Sequence, residues 1–235
     1  DASLPLPVLI ELDVDGVRGG VPFPGPDFEA LAAFAAQAEG LMLRGAMTYS
    51  GATYNTADAA AQTRIAAQHD AALAEAGAAL RALGVAEPIL STGGSPGVLA
   101  APTPQGASEF RPGVFVFWDL YQAGIGACRE ADIAISVLAT VLSVRPERGT
   151  ALTDAGALAL SLDRSTAKLP THWGLGRVCD EAGQPLDTLH VTSTSQEHGV
   201  IGGDDAALAA LEPGQLVRIL PNHSCLTAAA YPDYV

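Results

Sequence analysis

The hydrophobic rhythm of the chain changes near its midpoint, and this limits the fold more than any other feature. In the first half, short apolar runs alternate with helical stretches. Pro7–Val14, Leu43–Tyr49, Pro88–Thr92 and Gly113–Trp118 read as strands. Phe28–Glu39, capped by Asp27 and closed by Gly40, reads as a helix, as does the Ala-rich stretch Ala57–Leu83, with a break expected near Gly77. Strands alternating with helices predict a parallel sheet with covered faces. In the second half Ile133–Val144, Thr150–Leu160, Leu189–Ser195 and Gln215–Leu220 read as strands separated by turn signals, with one helix over Asp204–Leu211. That half predicts an antiparallel β-domain. The fold class is therefore α/β plus β, with domains at 1–128 and 129–235. Four parallel units are too few to close an eight-stranded barrel, so the chain is expected to be part of a longer protein.

Composition excludes several function classes. Twelve basic against 26 acidic residues give a net charge of −14, which repels phosphate backbones and anionic membranes. No apolar run reaches the ~20 residues of a membrane span; Ile133–Val144 is too short and carries Ser136, Thr140 and Ser143. Asp1–Pro5 has no leader-like features. Cys128, Cys179 and Cys225 are an odd, widely spaced set, which suits free thiols in a reducing, cytoplasmic compartment. Eleven arginines accompany a single lysine, Lys168, so any lysine chemistry must use Lys168 or a lysine outside this chain.

Several positions can carry chemistry. In Pro221-Asn222-His223-Ser224-Cys225, His and Cys at i and i+2 share one face of an extended segment and suit a divalent cation such as zinc. A hydrogen-bonded histidine beside a buried thiol is the commoner meaning of that spacing. In Ser91–Gly97, glycines and hydroxyls after a strand suit an anion, and a plain turn fits equally. Arg18, Tyr49, the Gly93 loop and Tyr121 each follow a successive predicted parallel strand, where they can converge on one ligand. Glu197 can act as an outer partner for a metal-bound histidine, and Asp154-Ala155-Gly156 reads as a turn. His69, on the Ala-rich helix, is expected to be solvated; His172, His190, Cys128 and Cys179 receive no role.

In this order, VLIELDVDGVRGGV, MTYSG, LSTGGSPG, RPGVFVFWDLY, TDAGALALSLD, SQEHGVI and LPNHSCLTA resemble the fold-type III, alanine-racemase-like pyridoxal-phosphate (PLP) enzymes. The similarity is to the branch of D-threonine aldolase and D-serine dehydratase. It implies part of a PLP-binding (β/α) barrel followed by an antiparallel β-domain. Arg18, Tyr49, Gly93, Gly94, Ser95 and Tyr121 would bind the cofactor. His223 and Cys225 would bind a divalent metal, zinc first and manganese or magnesium as alternatives. His-x-Cys resembles the zinc-dependent dehydratase, whereas aldolases usually carry Asp at the second ligand. The implied activity is a PLP- and metal-dependent lyase on β-hydroxy D-amino acids, a homodimer with no nucleic-acid or membrane partner. The Schiff-base lysine would lie upstream of this chain, and Lys168 matches nothing catalytic. A metal-free racemase and a non-catalytic PLP-binding protein are the alternatives.

Overall fold

The structure, a computed structural model, describes residues 4–101 and 104–235. Residues 1–3, where the segment read for a leader begins, lie outside the described residues. Among the described residues no helix is long and apolar enough to cross a membrane. The chain divides into two compact units, Asp1–Gly113 and Val114–Val235.

The first unit is built on β1 (Leu6–Asp13), β2 (Val21–Pro22), β3 (Leu41–Tyr49), β4 (Ile89–Gly93) and β5 (Glu109–Arg111). They form one sheet in the order β2-β1-β3-β4-β5, every neighbouring pair parallel. Helix α1 (Pro26–Gln37) links β2 to β3, and α2 (Ala59–Ala82) links β3 to β4. The expected cap Asp27 lies inside α1; Gly25 is the cap and Pro26 opens the first turn, where its missing N–H costs nothing. Helix α2 runs unbroken through Gly77. A side chain there would meet Leu90 Cδ1 at 2.7 Å, so this glycine brings the helix close to β4. Phe28, Ala32, Leu73, Leu80, Ile10 and Leu90 fill the core between helices and sheet. The register aligns Tyr49 with Gly93, and Gly93 with Arg111, so the carboxyl ends of β3, β4 and β5 form one edge.

The second unit is an antiparallel barrel that closes in the order β10-β7-β6-β11-β8-β9. Its strands are β6 (Val137–Arg145), β7 (Thr150–Thr153), β8 (Arg177–Asp180), β9 (Pro185–Thr194), β10 (Gly199–Gly202) and β11 (Leu216–Leu220). Inward positions of every strand, among them Val141, Val178, Leu189, Val191, Ile201 and Ile219, are fully buried and fill the interior. Thr150–Leu160, expected as one strand, breaks after Thr153 and continues as a helical turn, Ala157–Leu160. Gly113–Trp118, also expected as a strand, holds a 3₁₀ turn at Val114–Val116 with Phe115 and Val116 exposed. The fifth parallel strand is instead the short segment Glu109–Arg111.

Earlier in the chain than the change of architecture expected after residue 128, the contacts divide after Gly113. Residues beyond it pair with the second unit: Leu120 N–H donates to Pro221 O at 3.1 Å, and Tyr121 N–H to Asn222 O at 3.3 Å.

Candidate active site

Chemistry-bearing residues gather in one cluster within each unit. In the first unit they stand at the carboxyl edge of the parallel sheet. Arg18, exposed on the loop after β1, holds its guanidinium carbon 4.5 Å from the centroid of the Tyr49 ring. Tyr54 also stacks with Tyr49, the two ring centroids 5.9 Å apart. Gly93 and Gly94 lie against the same ring: a Cβ on either would come within 3.5 Å of Tyr49. Gly94 has φ +98°, which disfavours other residues, and its added Cβ would sit 3.1 Å from Ser50 Oγ. That hydroxyl donates to Gly93 O at 2.9 Å and fixes the turn. Ser95 is buried and opens the short helix Ser95–Ala100. The structure thus brings together Arg18, Tyr49, Gly93, Gly94 and Ser95.

Sequence reading missed Arg111 and His69. Arg111 donates to Thr48 O at 3.0 Å and to Ser91 Oγ, buttressing the strand ends under Gly93. His69, expected in solvent, is 1% exposed. Its Nδ1 lies 2.7 Å from Thr48 Oγ1 and its Nε2 3.3 Å from Asp15 Oδ2. Burial lowers its pKa, against the raising effect of Asp15. A signal was available: Gln62, Ala66, His69, Leu73, Ala76 and Leu80 recur at helical spacing, and all are buried.

The second cluster is centred on His223 and Cys225. The expected extended segment is not what joins them. His223 is the extended cap (φ −138°, ψ 99°) of a one-turn helix, Ser224–Ala228, and Cys225 lies in that turn. The two side chains still act on each other: Cys225 raises the titration of His223, and His223 lowers that of Cys225. Asp163 completes the group: its Oδ2 faces His223 Nδ1 at 3.8 Å, an ion-pair contact. The contact with Asp163, then that with Cys225, raises the His223 pKa to about 10. The contact with His223 holds Asp163 down to about 2 against the effect of burial. The Cys225 thiol is lowered chiefly by His223, and burial opposes this.

Two buried polar side chains hold this loop. Asp119, 1% exposed, accepts Gln122 N–H at 2.9 Å and Ser224 N–H at 3.0 Å. One carboxylate thereby caps Leu120–Gly124, which carries Tyr121, and the helix after His223. Burial raises its pKa, opposed by those two N–H groups. Asn222 donates to Asp163 O at 2.9 Å and Gly174 O at 2.8 Å, and accepts the Thr166 hydroxyl at 3.1 Å. Trp118 (φ 55°) and Ser161 (φ 73°), left-handed non-glycines, aim the chain into Asp119 and toward Asp163. The Tyr121 hydroxyl titrates above its ordinary value, first through burial and then through the charges of Asp119 and Asp163. Tyr121 itself lies in this short helix and not, as expected, after a fourth strand.

Glu197 and His198 are exposed in the turn between β9 and β10; the carboxylate beside the candidate ligand is Asp163. Asp154 accepts Thr140 N–H at 2.7 Å after β7. Among the described residues no group of three or more His, Cys, Asp or Glu side chains is assembled to hold a metal ion. His223 and Cys225 form a pair of nitrogen and sulfur donors with a carboxylate behind the imidazole. That donor set fits a divalent cation with open positions. The first cluster fits a phosphate-bearing aromatic cofactor: its glycine turn leaves no room for a Cβ and lies beside a cation-capped tyrosine.

Comparison with known proteins agrees with this division. A family model described as "Alanine racemase, N-terminal domain" matches residues 1–120, and one described as "Putative serine dehydratase domain" matches residues 134–235. The chain belongs to the alanine-racemase-like family, in the branch of D-threonine aldolase and D-serine dehydratase. It is 39% identical over 234 residues to the D-threo-3-hydroxyaspartate dehydratase of Delftia sp. (strain HT23), covering 97% of this chain and 61% of that protein. It therefore spans about three-fifths of that relative's length. The solved structure of the Delftia enzyme matches with a TM-score of 0.89 at 37% identity, over 97% of this chain and 62% of that one. Two further structures of a dehydratase of that name are a cysteine-to-alanine variant in the metal-free form and a histidine-to-alanine variant, changed two positions before that cysteine. D-serine dehydratase of Dictyostelium discoideum is 32% identical over 81% of this chain and 50% of its own length. D-threonine aldolase from Filomicrobium marinum matches with a TM-score of 0.74 at 27% identity, over 97% of this chain and 58% of that one.

Proposed function

We propose that the chain is part of a PLP- and divalent-metal-dependent lyase that dehydrates β-hydroxy D-amino acids. The observation that carries this reading is the His223–Cys225 pair, backed by Asp163 and held beside Tyr121 through Asp119. The spacing of the two altered positions in the dehydratase variants supports the same assignment.

When bound, PLP supplies an electron sink for charge at the substrate's Cα, and the cation supplies a Lewis acid for the departing β-hydroxyl. Arg18, Tyr49, Gly93, Gly94, Ser95 and Tyr121 would hold the first group, and His223 and Cys225 the second. Zinc suits the nitrogen and sulfur donors best. Both ligands bind as bases, so loading displaces protons from the pair. Asp163 faces Nδ1 and leaves Nε2 as the nitrogen open to a cation. The acidic surroundings favour a cation over a neutral guest. The glycine turn lets backbone N–H groups approach a phosphate, and the Arg18 guanidinium favours a phenolate-like oxygen near Tyr49. The lysine that carries the cofactor is assigned outside this chain. The reading includes a homodimer in a reducing, cytoplasmic compartment; all three cysteines are free.

The test is metal analysis and product assay of the full-length protein. The expected results are bound divalent metal, pyruvate from D-serine and oxaloacetate from D-threo-3-hydroxyaspartate. Glycine and acetaldehyde from D-threonine as the main products would replace elimination by retro-aldol cleavage. Racemisation that survives chelation would replace it by a metal-free racemase. Unchanged metal content in His223→Ala would overturn the ligand assignment.

A further inference from the structure

The loop after β1 carries Arg18 through residues that have little conformational restraint of their own. Gly16 (φ +68°) and Gly20 (φ +108°) bound it, and residues 16–20 are exposed. Such a segment, left to itself, samples many conformations. In the structure it is pinned from below. Asp13 accepts Gly16 N–H at 2.8 Å. Asp15 Oδ1 accepts Val17 N–H at 3.3 Å, and its Oδ2 accepts Ala52 N–H at 2.9 Å, which ties the loop to the turn after Tyr49. The Val17 side chain packs over Gly51, where an added Cβ would come within 2.9 Å of it.

His69 is the anchor of this arrangement. It reaches Asp15 from α2 while contacting Thr48 on β3, so three elements meet at one imidazole. The Asp15 and His69 side chains are 12% and 2% exposed. A neutral ring meets both of its own contacts in one tautomer: Nε2–H donates to Asp15, and Nδ1 accepts the Thr48 hydroxyl, whose hydrogen then favours this 2.7 Å contact over Leu12 O at 3.4 Å. Thr48 immediately precedes Tyr49, and Asp15 precedes Arg18 by three positions. The chain of contacts therefore fixes both halves of the Arg18–Tyr49 stack relative to each other.

We propose that His69, acting through Asp15, is a positioning residue that holds Arg18 over Tyr49 for cofactor binding. This rests on the proposed function for the identity of the cofactor, but the pinning of the loop does not. His69 touches no reacting atom in this account; its effect passes through Arg18.

The test uses the full-length protein and a double-mutant cycle. His69→Leu is expected to weaken PLP binding, measured by titration of the stripped enzyme, roughly tenfold, the scale of one lost hydrogen bond to a charged group. Deuterium uptake by residues 14–20 in the cofactor-free protein should rise. His69→Gln, whose amide reaches about where Nε2 does, should restore most of both. In an Arg18→Ala background, His69→Leu should change PLP affinity less than about twofold. If His69→Leu does not fold, Asp15→Ser cuts the same link from the loop side and takes its place in the cycle. Equal losses in both backgrounds, or unchanged uptake over 14–20, would overturn the proposal. If the full-length protein binds no PLP, the functional reading fails, while the uptake comparison still decides whether His69 pins the loop.

Discussion

The two units place reactive side chains by different means. In the first, position comes from strand register: Tyr49, Gly93 and Arg111 stand level because β3, β4 and β5 pair in parallel. In the second, the candidate ligands lie outside the strands, on a loop and a one-turn helix that follow β11. A helix of one turn has almost no stability of its own. Position there comes from buried polar side chains, Asp119 and Asn222, which bond to the backbone of distant segments. Where position is set by register, side-chain changes nearby should be tolerated and backbone changes should not; the exception in the first unit is Arg18, whose loop hangs on the buried Asp15–His69 contact. A site set by polar hubs should behave in the opposite way.

The largest expected effect breaks the second arrangement. Asn222→Leu keeps the branched outline but removes three hydrogen bonds and strands the carbonyls of Asp163 and Gly174. We expect a loss of about 3 kcal/mol, measured by denaturant unfolding. The full-length protein should also lose metal, while PLP affinity falls far less, by no more than the contribution of Tyr121, whose N–H bonds to Asn222 O. Loss of both ligands together would contradict the separate construction of the two sites.

Gly94→Ala is the converse test and the next largest effect. Gly94 sits at φ +98° with Ser50 Oγ 3.1 Å from the added carbon. A cost of about 1–2 kcal/mol is expected, together with weaker PLP retention and unchanged metal content.

The same contrast explains what could be read from sequence. The parallel strands, the long Ala-rich helix and the glycine turn carry local signals, and the structure follows them to within a few residues. Glu109–Arg111 escaped because three residues are too few to show a period, and Gly113–Trp118 mimicked a strand because apolar runs also form turns. His223 and Cys225 were visible as a motif, although the geometry argued for them was wrong: they meet across a helix cap rather than along a strand. Asp163 lay within the quoted stretch TDAGALALSLD but was not singled out. Its partner His223 is far along the chain, and no local period links the two. Asp119 was hidden for the same reason: its bond to Gln122 N–H is local, but its second bond, to Ser224, is not. His69 was misjudged because alanine gives little hydrophobic contrast along α2.

A smaller effect concerns charge in the metal-stripped protein. Asp163 is held at about 2, below its ordinary 3.8, so its contribution to stability is present above pH 3.8 and is lost as pH falls toward 2. His223 is raised to about 10 from 6.5, so its contribution is complete below pH 6.5 and is lost as pH rises through 10. Cys225, whose pKa is lowered, loses its contribution as pH falls and so partly offsets the alkaline decline. Thermal unfolding of chelated protein should show this pair's support greatest between pH 3.8 and 6.5. His223→Gln should flatten the alkaline limb. Both side chains are partly open to solvent, so screening keeps the effect modest.

The smallest expected effect is none at all. Lys168 is the only lysine of the chain, and it lies exposed on a 3₁₀ turn of the second unit, Ser165–Lys168. A lysine that carries PLP works from a desolvated pocket, and Lys168 is exposed. Lys168→Ala should therefore leave PLP content, its absorbance spectrum and turnover of the full-length protein unchanged, and stability within about 0.5 kcal/mol. Loss of the bound-cofactor spectrum in this variant would move the covalent link from a lysine outside this chain onto the β-unit. The division between a register-built cofactor cradle and a hub-built metal pair would then fail.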